Sequence, residues 1–310
     1  MSSGRPAEAS YNRLMSTRKT QPPHLFAEPD GATEGLAQRW ERLAARSDET
    51  GLAEGALLIA AEEYDNLDVG DYLRRIDAMG TALRQRLRED ISTSDALVAL
   101  NRYVFEELGF SGNAEDYYDP RNSYLNDVID RKLGIPITLS VLYIEIGRRI
   151  GLPLQGVSFP SHFLVTCPMR GGTVVLDAFA RGASLGVEDL QERLRPLAAG
   201  HEIDERLLRT LLTPAAPRDI FARMLRNLRA IHLKHSDHLK ALSASSRILM
   251  LFPQAADEYS QRAELYVALE CFRAALSDFK HYLSLQPNAS DGEQVRSRIA
   301  ELEAIVARLN

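Results

Sequence analysis

The segment from Pro136 to Ile150 constrains this chain more than any other. Ile137, Leu139, Val141, Leu142, Ile144, Ile146 and Ile150 leave it no polar stripe. A helix that is apolar on every side has to be buried. Pro136 suits a first helical turn, where its missing N–H costs nothing. Gly151 and Pro153 supply the stop. The segment is therefore expected to be the central core helix of a domain, with other elements wrapped around it.

Those elements can be read on both sides. Upstream, Leu57–Ala60 is apolar, and Leu73, Ile76, Leu83 and Leu87 recur at helical spacing after Val69. Ser94 and Asp95 stand where they can cap a helix carrying Leu97, Leu100, Val104 and Leu108. A short helix is expected from Ser123 to Leu133, with Asn122 as its N-cap. Downstream the period changes. Leu154–Phe159, Phe163–Cys167 and Thr173–Asp177 read as strands, the last two joined by a hairpin loop over Pro168–Gly172. Val187–Leu197 returns to helix, and Pro214 and Pro217 mark a domain boundary.

Beyond that boundary the chain repeats. Pro253 and Pro287 are 34 residues apart, the period of the tetratricopeptide repeat. Tyr266, Ala275, Phe279 and Pro287 fall on that repeat's positions. The preceding unit fits at Ala241 and Pro253 but has Ser245 where a bulky aromatic belongs. Two units and a terminal helix bury little surface, so they are expected to lean on the rest of the chain. The expected domains are a disordered tail over 1–35, a core over 36–215 and helical repeats over 216–310.

His162 and Asp177 are the most suggestive polar residues. Their numerical midpoint falls at Met169/Arg170, inside the hairpin loop. They are therefore expected to face each other across it, as the base and orienting acid of a triad do. A thiol nucleophile would belong at the start of the buried helix, where free N–H groups and the dipole favour a thiolate. The residue there is Pro136. Ser140 shares a helical face with Pro136 and is the nearest substitute hydroxyl. As a buried serine it is expected to bond a backbone carbonyl. Cys167 lies an odd number of residues from His162, on the opposite strand face, and reads as a packing thiol, as does Cys271.

Composition excludes several classes. The two cysteines permit no disulfide framework and no CxxC site. His232, His235 and His238 straddle a helical turn, and Glu115, Asp116 and Asp119 form an acidic loop with Tyr117 and Tyr118, so no metal and no cofactor is expected. Net charge is −6, and residues 216–310 carry only 13 basic against 11 acidic groups, too even a balance for nucleic acid. No apolar run approaches the roughly 20 residues of a membrane span. A cytoplasmic location is expected.

Gly134-Ile135-Pro136, followed by a helix and Gly151-Leu152-Pro153, resembles the G-x-C, helix, G-I-P pattern of transglutaminase cores, with proline in place of cysteine. The blocks from Gly55, from Asn122 to Val165 and from Val175 resemble the SirB family of bacterial proteins. That resemblance implies an α+β, papain/transglutaminase-like core followed by an all-α tetratricopeptide-like domain. It also implies a site without cysteine, at which Asn122, Tyr124 and Asn126 are binding candidates. Two functions follow as expectations. One is a degenerate transglutaminase-like scaffold that holds a protein or peptide partner on its repeats. The alternative is a peptidase or amidase using His162 and Asp177 with a non-cysteine nucleophile. Pro136 favours the first.

Overall fold

The structure is a computed structural model that describes residues 35–46, 51–197 and 203–309. The tail expected over 1–35 lies outside these residues except for Gly35. The chain divides into two compact units: one is Arg46–Met224, the other joins the segment ending at Ala45 to Leu225–Asn310. Residues 36–45, grouped with the core on sequence grounds, cluster with the repeats.

The core unit begins with helices α2 (Leu52–Ala60), α3 (Val69–Arg84) and α4 (Thr93–Asn101). Asp68 caps α3, and Ser92 rather than Ser94 caps α4 by accepting from the Asp95 N–H at 3.1 Å. A six-residue π-helical stretch, Arg102–Glu107, follows. A parallel pair, β1 (Ser111–Gly112) and β2 (Leu133–Gly134), brackets α5 (Leu125–Arg131). The central helix is α6, Pro136–Arg149, and every residue from Pro136 to Gly147 is buried. Its one buried charge, Glu145, is held by Arg148 and Arg149 and accepts from the Ala53 N–H.

The antiparallel sheet runs in the order β3 (Gln155–Val157), β4 (Leu164–Met169), β5 (Gly172–Asp177), β6 (Ala183–Leu185). Alternation along β4 divides its side chains between two faces. Cys167 is fully buried; burial raises the pKa of the Tyr143 hydroxyl of α6, and Cys167 adds to that rise. Leu164 joins Val157, Phe159 and Val175 in a cluster with Leu190 and Leu194 of α7 (Val187–Leu194) and Leu208 of α8 (Glu205–Leu211). The turn between β4 and β5 is tighter than the sequence implied. Met169 pairs with Gly172, leaving Arg170 and Gly171 as a two-residue loop in which Gly171 takes φ +95°.

Helix α9 (Pro217–Lys234) begins in the core unit and ends in the repeat unit, which continues with α10 (His238–Leu251), α11 (Ala256–Ala268), α12 (Phe272–Leu285) and α13 (Gly292–Arg308). The 34-residue period is visible in the backbone. Ser236 and Glu270 share φ near +58°, at 59° and 57°, and Phe252 and Gln286 end their helices at nearly the same angles. Small against large packs the second repeat, with Ala263 and Phe279 both buried. At the equivalent places of the first repeat the sizes are exchanged: Arg229 is the large side chain and donates to Ser245 Oγ at 3.2 Å. The buried guanidinium is neutralised by Glu258, which also takes Arg226 at 2.7 Å. Helix α1 (Leu36–Arg46) belongs to this unit; its Trp40 is fully buried, with the Arg247 guanidinium 5.1 Å from the ring centroid.

Candidate functional site

His162 lies in the turn before β4, where Ser161 takes the left-handed conformation at φ +57°. Its N–H closes the turn onto the Phe159 carbonyl at 3.1 Å. Asp177 is the last residue of β5 and pairs with Ala183 of β6. The ring nitrogen His162 Nε2 stands 3.0 Å from Asp177 Oδ1. The pair therefore meets, though not as register partners. Val165 opposite Leu176 centres the hairpin one residue later than the midpoint argument placed it, and the Ser161 turn brings the imidazole to the carboxylate instead.

The Asp177 carboxylate is fully engaged. Oδ1 also accepts from the N–H groups of Phe179 at 3.0 Å and Ala180 at 3.2 Å, and Oδ2 accepts from Arg193 Nη2 at 2.7 Å. Burial pushes its pKa up, but the His162 bond, the Ala180 N–H and Arg193 together hold it below the usual carboxylate range. A carboxylate only accepts, so in a neutral imidazole the Nε2 atom carries the proton, leaving Nδ1 as the open nitrogen.

Pro136 is the first residue of α6 and presents no nucleophile. The helix start is closed by Thr138, whose Oγ1 accepts from the Ile135 N–H at 3.2 Å and donates to the Asn122 carbonyl at 2.7 Å. Contacts link the helix start to His162 through a glycine pair and the Phe179 ring. Gly134 pairs with Gly112, and a Cβ built on Gly112 would lie 2.5 Å from Phe179 Cε2. Phe179 in turn meets the His162 ring edge-on, with centroids 6.3 Å apart. Ser140 is fully buried, but its hydroxyl has no partner among the described residues, contrary to the expected bond to a carbonyl.

The other candidates divide. Asn122 is not a helix cap. Its side-chain amide donates to the Asp116 carbonyl at 2.7 Å and its oxygen accepts from Asn113 at 3.1 Å, so it fixes the 113–122 loop. That loop brings Tyr117 against Phe179, with centroids 6.2 Å apart. Tyr124 turns elsewhere, stacking edge-on with Tyr64 and bonding Glu63 at 3.4 Å. Asn126 is buried with its Oδ1 unpartnered among the described residues. Cys167 is buried, and burial pushes its thiol pKa up, which suits packing and not nucleophilic attack. In the acidic loop, Asp119 is held by Arg121 and Arg131. No group of three or more candidate metal ligands occurs among the described residues. Of the three histidines at the first repeat's turn, His232 is buried and not solvated.

Sequence reasoning missed Phe179, Arg193 and Arg223 and gave Tyr117 no part here. Arg193 and Arg223 reach the pair from α7 and α9, elements whose spacing in sequence carries no mark of the hairpin.

A family model described as the transglutaminase-like superfamily matches residues 70–226, and one described as a tetratricopeptide repeat matches 228–300. A UPF0162 protein of Xylella fastidiosa (strain Temecula1) is 42% identical over 268 residues, covering 86% of this chain and 95% of that protein. A UPF0162 protein of Pseudomonas aeruginosa is 31% identical over 257 residues, covering 83% and 93%. The human F-box only protein 21 is 40% identical over 106 residues, which is 32% of this chain and 17% of that protein.

Proposed function

This chain belongs to the transglutaminase-like superfamily, alongside bacterial UPF0162 proteins, and we propose that it is a non-catalytic scaffold of the bacterial cytoplasm. In this reading the repeats hold a protein or peptide partner and the core domain serves as a rigid, degenerate relative of thiol enzymes. The finer assignment to the SirB family is part of the same proposal and rests on the Asn122–Val165 block. The observation that carries it is Pro136 at the first position of the buried helix, the place where such an enzyme needs a thiol. His162 and Asp177 then act as a clamp on the end of the sheet, in keeping with the four donors on one carboxylate.

The opposing reading is an amidase in which His162 Nδ1 activates a hydroxyl or water. Both are tested by measuring hydrolysis of a peptide-amide panel by the protein and by His162→Ala. No turnover by either is expected, and turnover lost with His162 would overturn the scaffold reading. The positive arm is co-purification of a stoichiometric partner with the full chain. That partner should be lost with Asp257→Lys and Glu264→Lys, two exposed positions of α11. A chain that purifies alone, or a partner indifferent to both changes, counts against the repeats.

A further inference from the structure

Arg223 is a half-buried charge beside His162 that no carboxylate answers among the described residues. Its Nη1 donates to the Phe159 carbonyl at 3.0 Å, its Nη2 donates to the His162 carbonyl, and its guanidinium lies 5.6 Å from the Phe163 ring centroid. None of these is an anion, and no carboxylate contacts it among the described residues. Arg131, Arg149 and Arg193 of the same unit each meet a carboxylate. Asp177, the carboxylate bonded to His162, is already shared with Arg193. Burial pulls the Arg223 pKa down, and Tyr117 acts on it in the opposite direction. Removing a guanidinium from water without a counter-charge is unfavourable, and a planar anion relieves it through paired N–H donors. Tyr117 is 38% exposed, so this corner is open to solvent, and its ring and that of His162 both pack edge-on around Phe179.

We propose that Arg223 and Tyr117 form a carboxylate subsite beside His162, with the Phe179 ring as its apolar floor, which takes a carboxylate borne on a peptide. The proposal concerns the core unit alone. It goes beyond the scaffold reading and does not require a partner on the repeats.

The test uses the full chain and three probes: acetyl-Ala-Ala-Ala with a free C-terminus, its C-terminal amide, and acetyl-Ala-Glu-Ala amide. Binding is read from the NMR shifts of the His162 ring protons, assigned with His162→Gln. A carboxylate held by one guanidinium is expected to bind with a Kd on the order of 1 mM. The amide is expected to bind at least about tenfold more weakly. Saturation by the first probe alone assigns the carboxylate to a chain terminus, and by the third to an acidic side chain; either supports the subsite. Equal binding of acid and amide, or no shift with any probe up to ~20 mM, overturns it. Tyr117→Phe, at a half-exposed position, should weaken the acid severalfold and leave the amide unchanged. Arg223→Lys should keep part of the affinity, and Arg223→Gln should lose it. Full affinity in a folded Arg223→Gln protein would also overturn the assignment.

Discussion

Replacing Arg229 by alanine should test the exchanged packing of the first repeat most directly. Arg229 and Glu258 have side-chain exposures of 9% and 6%, and breaking such a buried pair from one side typically costs about 3–5 kcal/mol. Arg226 stays on Glu258 Oε1 at 2.7 Å and keeps that carboxylate from being orphaned, so the lower end, about 3 kcal/mol, applies here. Ser245→Phe alone puts a ring against the guanidinium and should cost about 1–3 kcal/mol by overpacking. The double variant Arg229→Ala, Ser245→Phe rebuilds the Ala263/Phe279 pairing of the second repeat. It should be more stable than Arg229→Ala, with a favourable coupling energy of at least about 1 kcal/mol. Urea unfolding of the full chain followed by Trp40 fluorescence reads this unit selectively, because Trp40 is the single tryptophan and is buried within it. Additive penalties in the double variant would refute the reasoning, as would a cost below about 1 kcal/mol for Arg229→Ala.

Asp177 has a lowered pKa in the folded chain, so its contribution is present above the unfolded value, near 3.9, and is lost as pH falls through the folded one. Stability measured from pH 5 to pH 2 should fall, and Asp177→Asn should flatten that slope; an unchanged slope would show that the carboxylate is not linked to folding. Pro136→Cys places a thiol in a buried position, like that of Cys167, but at the start of a 14-residue helix; if the helix N-terminus outweighs burial, its pKa should drop from the ordinary ~8.5 to below ~7.5, with alkylation faster than that of Cys167. An ordinary thiol pKa there would count against any resemblance to an enzyme site. Gly112→Ala puts a methyl into the Phe179 ring and should cost about 1–3 kcal/mol while shifting the His162 ring signals; silent His162 signals would contradict the chain of contacts described above.

The core helix was legible because its aliphatic side chains leave no polar stripe, and it runs Pro136–Arg149, one residue short of the expected Ile150. The repeat was legible because its period recurs in the proline positions. The Arg229/Ser245 exchange was hidden because each residue, taken alone, looks like a departure from the pattern; only their contact shows the compensation. The hairpin register slipped because Pro168 and Gly172 look like loop residues, whereas Pro168 sits in the ladder opposite Thr173. The meeting of His162 with Asp177 depends on Ser161 adopting a positive φ, which a serine does not advertise. Sequence adjacency groups helix α1 with the core, whereas in the structure it clusters with the repeats and its buried Trp40 finds Arg247.

That last contact sets an order of events during synthesis. Residues 40 and 247 are separated by the entire core unit, so Trp40 meets the Arg247 guanidinium only after the ribosome has made most of the chain. Closing a flexible loop of that length costs about 5 kcal/mol from the length-dependent part of its entropy alone, by the logarithmic law. A core that folds first replaces most of that floppy loop with a compact body and lowers the penalty. The nascent chain thus has reason to complete its middle before its ends, and the repeat unit is assembled last.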